Sequence, residues 1–199
     1  MGTGSLKAVR IMTGGTLAPG ASPGTLIADS LVLGANSNFQ WQVHDTAGLA
    51  GDINGWDKIM VTNNLDLSGV SSAGTRIAIN VMSLHAFSDT VAGNAINWSR
   101  DDIKTFLFGH VGGITFNSGF SSQIADYFSF DTSAFTTSDS TGIGSSLWSM
   151  SYNSVSGDIT LTAVPEPSTY GLAIGALALA IAAIRRRRQQ EIKKKAVSL

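Results

Sequence analysis

The sequence predicts an all-β body followed by a single C-terminal transmembrane helix. Three observations lead there. The chain of 199 residues carries 22 Gly but only 4 Pro, and 14% of it is charged, against roughly 25% in an ordinary globular protein. Short apolar runs separated by Ser, Thr, Asn, Asp and Gly recur through the body, the pattern of many strands and turns. From Ser168 to Ile184 there is no charged residue, and four arginines follow at once.

In chain order, Pro19-Gly20 and Pro23-Gly24 are turn dipeptides, because Pro presets φ and Gly tolerates the next position. Leu26, Leu31 and Leu33 follow in a β-rich run. Phe39, Trp41 and Val43 alternate with Asn38, Gln40 and Gln42, the period of a half-buried strand. Residues 44–56 read as a Gly-rich loop. Further strands are expected at Asp57–Thr62, Asn64–Leu67 and Arg76–Val81. One short helix is expected over Asn97–Phe108, with Ser99 as N-cap and Asp101 and Asp102 in its first turn, where they favour the helix dipole. Ile114 with Phe116, and Phe128 with Phe130, suit short strands. Residues 132–146 read as a surface loop. The body ends in a hairpin, with Trp148, Met150 and Tyr152 on one strand, Ile159, Leu161 and Ala163 on the other, and Asn153–Asp158 turning. This succession fits either a β-solenoid or a β-sandwich.

Charge divides the chain. Up to residue 184 there are 6 basic and 13 acidic residues; beyond it there are 7 basic and one acidic, Glu191. An acidic body argues against a nucleic-acid partner, which requires a basic face. The basic cluster beside an apolar run marks the cytoplasmic side of a membrane. The 17 residues from Ser168 to Ile184 would span about 25 Å as a helix. Gly171 and Gly175 have GxxxG spacing and read as ordinary glycines of such a span. The absence of cysteine excludes disulfides and thiolate sites. Residues 1–15 hold no apolar signal-peptide core, so an exported protein with this sequence is expected to begin earlier.

The residues offer no catalytic, cofactor or metal site. His44, His85 and His110 are scattered without zinc spacing. The loop from Asp52 to Asp57 places Gly55 too early and lacks the closing Glu of a calcium loop. Asp101, Asp102 and Asp126 are the carboxylates a glycan-cleaving enzyme would have to use, and no nucleophile elbow accompanies them.

Two segments carry resemblances. GGTLAPGASPGTLIADSLVLG, then FQWQV and GWDKIMVTNNLDLSG, over residues 14–69, resemble an autotransporter-associated β-strand repeat. That resemblance implies a parallel β-helix (β-solenoid)-like body over 1–163, without catalytic residues. The C-terminus resembles a PEP-CTERM sorting signal over 164–188. Val164, Pro165, Glu166, Pro167 and Ser168 match its motif, residues 168–184 its transmembrane helix, and Arg185, Arg186, Arg187 and Arg188 its basic stop. Residues 189–199 form a basic cytoplasmic tail beyond the arginines. This second resemblance implies export across the inner membrane of a Gram-negative bacterium and transient recognition by exosortase, a membrane protease that cuts near the motif.

The combined expectation is a non-enzymatic cell-surface or extracellular-matrix protein acting in adhesion or in a biofilm or exopolysaccharide matrix. Its partners would be exosortase and, beyond it, exopolysaccharide or other surface proteins. A permanently anchored single-span adhesin and a polysaccharide-active β-helix enzyme are the alternatives.

Overall fold

The computed structural model describes residues 5–19, 23–85, 91–99 and 101–164, with Leu179 and Arg186 in the tail. Eleven strands occur among them: β1 Leu6–Ile11, β2 Thr16–Leu17, β3 Thr25–Leu33, β4 Asn38–Val43, β5 Lys58–Asp66, β6 Ile77–Ser83, β7 Lys104–Val111, β8 Ile114–Thr115, β9 Phe128–Ala134, β10 Trp148–Asn153 and β11 Asp158–Ala163. Short 3-10 turns at Ala73–Thr75, Ile124–Tyr127 and Ser145–Leu147 precede β6, β9 and β10.

From β1 to β6 the chain alternates between two sheets. One runs β1-β3-β5-β7-β11-β10, with β8 also on β5; the other runs β2-β4-β6-β9. The second sheet is wholly parallel. Its register sets Phe39 beside Ile79 and Ile79 beside Phe130, and Trp41 beside Val81. In the first sheet Leu31 stands beside Leu65, and Val61 beside Val111. Alternation along each strand sends these side chains to one face. The two inner faces meet in a single core that includes Leu31, Phe39, Trp41, Ile59, Leu65, Ile79, Phe108 and Leu161. Gly109 lies in register with Ile59, and a Cβ there would collide with the Ile59 side chain.

Aromatic rings gather in one part of this core. Trp41 and Phe106 have ring centroids 5.1 Å apart, and Trp98 and Trp148 5.6 Å apart. The Trp98 indole N–H donates to the Asp102 carbonyl at 3.1 Å, which satisfies the polar end of a fully buried ring.

Three expectations are corrected. The body is not the purely parallel β-helix expected: β7, β11 and β10 pair antiparallel, so the larger sheet is mixed. No described helix is long and apolar enough to cross a membrane, and the span expected over 168–184 falls outside the described residues except at Leu179. The helix expected over Asn97–Phe108 is replaced by a turn and then β7. Asp102 N–H donates to the Ser99 carbonyl and Ser99 N–H to the Asp102 carboxylate. Phe106, opposite Leu161 of β11, and Phe108 then bury at strand spacing, with their rings against Trp41 and Phe39 of β4.

The 132–146 segment is also more than a surface loop. It carries the end of β9, and Phe135, Thr137 and Ile143 are buried. The expected hairpin forms as β10 and β11, with pairs from Trp148–Ala163 to Asn153–Asp158. Gly157 closes it at φ +79°, a conformation other residues adopt at a cost. By compactness the chain divides into Met1–Pro165 and Glu166–Leu199.

Candidate functional site

The C-terminal exit of the body is built by its last strand. Ala163 ends β11 opposite Trp148 of β10. One residue on, Val164 N–H donates to the Leu147 carbonyl at 2.9 Å. Pro165 has no N–H, so it cannot extend that ladder. Val164 is therefore both the last described residue of the body and the first of the expected sorting motif, and its side chain is partly open to solvent. Pro165, Glu166, Pro167, Ser168, Arg185, Arg187 and Arg188 lie outside the described residues, and Arg186 is exposed.

The most unusual ionisable group of the body is Asp57, just before β5. Its carboxylate is buried and accepts the backbone N–H of Gly24 at 2.7 Å and of Gln42 at 2.8 Å. The Asp57 carbonyl accepts the Trp41 indole N–H at 2.9 Å. Gly24 leads into β3 of one sheet, whereas Gln42 and Trp41 belong to β4 of the other. One residue thus ties the two sheets together. Burial raises its pKa to about 7, because removal from water disfavours the charged form more than the two N–H donors favour it. The sequence reading saw Asp57 as a strand start and as part of a weak cation loop. Its interior position depends on Gly24 and Gln42 converging from distant parts of the chain, which no local pattern reports.

Several of the other residues considered from the sequence hold structural bonds. Asp52 caps a turn through Gly55 N–H to its carbonyl at 2.9 Å. His110 Nδ1 meets Asp158 Oδ1 at 3.0 Å on the surface, and this contact, with Ser156, draws the Asp158 carboxyl below its ordinary range. Asp102 bonds Ser99 and lies 3.9 Å from the Lys104 ammonium, while Asp126 accepts the Ser121 hydroxyl at 2.6 Å. His44 is buried, and its backbone rather than its ring joins the Gly55 and Ile96 backbones. Among the described residues no group of three or more His, Cys, Asp or Glu could hold a metal ion.

A groove of about 360 Å³ lies between the outermost strands of the two sheets. Phe130 of β9, Trp148, Ser149 and Met150 of β10, and Arg76 line it. The Arg76 Nε donates to the Asp126 carbonyl at 2.8 Å, which holds the guanidinium at the rim. The sequence reading missed this groove. Arg76 was visible only as a strand start, and β9 and β10 are brought together by the two-sheet arrangement.

Residues 163–188 match the PEP-CTERM protein-sorting motif. The match begins on the last residue of β11, so the PEP-CTERM segment starts where the folded body stops. It identifies an exosortase as the processing partner and export to the cell surface or extracellular space as the destination. Nothing found supports the autotransporter-associated repeat expected over residues 14–69. No curated protein and no solved structure matches the chain.

Proposed function

We propose that this chain is a non-enzymatic surface or extracellular-matrix protein, with a two-sheet body as the delivered cargo and a C-terminal segment cut by exosortase. The observation that carries this reading is the PEP-CTERM match at 163–188, which shares only the last residue of β11, Ala163, with the folded body. A cut after Val164 removes no strand, so the released body keeps its core. A structural role in adhesion or in an exopolysaccharide matrix fits a body in which the carboxylates of Asp57, Asp102, Asp126 and Asp158 each hold a hydrogen bond within the fold.

The test is mass spectrometry of the exported protein from its native host. A mature C-terminus within or just before Pro165–Pro167 is expected. Exported material that still ends at Leu199 refutes exosortase processing. Turnover of a purified polysaccharide by the body refutes the non-enzymatic reading.

A further inference from the structure

We propose that the groove between the outermost strands of the two sheets binds a sugar carboxylate, a uronic-acid unit of an acidic glycan. This names a ligand class for the matrix role proposed above and rests on that reading for its setting. The groove lies where β9 ends one sheet and β10 ends the other. The turns Ile124–Tyr127 and Ser145–Leu147 flank it and contribute Ala125, Ser145 and Ser146. Its volume of about 360 Å³ falls in the range of small-ligand sites.

Among the described residues that line the groove, Arg76 is the one charged group. Its Nε donates to the Asp126 carbonyl, and no carboxylate among the described residues pairs with it. The Asp126 carboxylate accepts the Ser121 hydroxyl and does not line the groove. A half-buried cation without a counter-charge attracts an anion. The two amino groups of its guanidinium match the two oxygens of a carboxylate.

The rest of the lining selects the kind of anion. Ser129, Ser145, Ser146 and Ser149 are exposed, and each hydroxyl can both donate and accept. They complement a ligand that is itself rich in hydroxyls, whereas an alkyl carboxylate leaves them unmatched. The half-buried Phe130 ring adds apolar surface for the C–H face of a sugar. A row of phosphates does not suit a single cation on a body with 13 acidic and 6 basic residues up to residue 184. A ligand carrying an amine would need an acidic partner, which the described lining lacks.

The test is titration of the full chain, in non-ionic detergent, with trigalacturonate and with its fully methyl-esterified form. Tryptophan fluorescence reads binding, because Trp148 lines the groove. Trigalacturonate should saturate the signal, and esterification should weaken binding at least about tenfold. Arg76→Gln should give the same loss, and Arg10→Gln, on the exposed strand β1, none. Arg76→Gln also loses the Asp126 contact, so Ser149→Tyr, which crowds the groove and keeps Arg76, provides a second reading and should weaken binding too. No saturable binding of trigalacturonate overturns the site. Equal affinity for the ester, or parental affinity in both groove variants, overturns it as well. A chain that is processed at its C-terminus and does not bind refutes the site alone; a chain that binds and is exported unprocessed refutes the sorting reading alone.

Discussion

Asp57 makes the stability of the body depend on pH in a direction opposite to that of most carboxylates. Its folded pKa of about 7 stands above the ordinary 3.8. Between these values the native state holds a proton that the unfolded chain has released, so unfolding becomes easier as pH rises. The contribution is fully favourable below the ordinary carboxylate pKa and is lost as pH climbs through about 7. From about pH 4.5 to about pH 7.5 the loss is about 3 kcal/mol for this one group. Asp131 and Asp158, whose pKa values are lowered, act with the opposite sign and at lower pH.

The perturbation that isolates Asp57 is Asp57→Asn. The amide oxygen keeps one of the two backbone N–H bonds and the amide nitrogen opposes the other, at a pH-independent cost of about 1–3 kcal/mol. Urea unfolding of the full chain, followed by tryptophan fluorescence across that pH range, measures both proteins. The stability advantage of parent over variant should fall steadily by about 3 kcal/mol as pH rises, reaching zero or reversing at about pH 7.5. A difference that stays constant across the range refutes the assignment of the titration to Asp57.

Trp41→Phe deletes the indole donor to the Asp57 carbonyl and part of the aromatic cluster. It should lower the unfolding free energy by about 2–4 kcal/mol in the same assay. Gly157→Ala forces a side chain into φ +79° and sets its Cβ 2.5 Å from the Val111 carbonyl oxygen; a loss of about 1–3 kcal/mol is expected by thermal or urea denaturation. Replacing Pro165, Glu166 and Pro167 together by Ala should leave the folded body unchanged by circular dichroism. In the native host the same variant should accumulate as unprocessed chain on an immunoblot.

Much of the local structure was legible in the sequence. Phe39, Trp41 and Val43 advertise β4 because alternation is a property of neighbours, and the hairpin of β10 and β11 was visible for the same reason. The residues from Ser99 to Phe108 misled because Ser99, Asp101 and Asp102 make a good helix entry by themselves. The strand wins because β11 pairs along Lys104–His110 and the rings of Phe106 and Phe108 enter the core against Trp41 and Phe39. Periodicity says that a strand has an inner face but not the direction of its neighbour, so the antiparallel closure of a parallel sheet could not be read. The sorting segment was legible because its parts lie in order along the chain. Asp57 was not, because its burial is a property of three segments that meet only in space.

The position of β11 has a mechanical consequence. The chain leaves the body from an interior strand, with six paired positions against β10 on one side and six against β7 on the other. A pull applied through Val164 is therefore shared by two ladders loaded together. An exit from an edge strand would open like a zip, one bond at a time. The body is built to bear tension at the residue where the sorting segment begins.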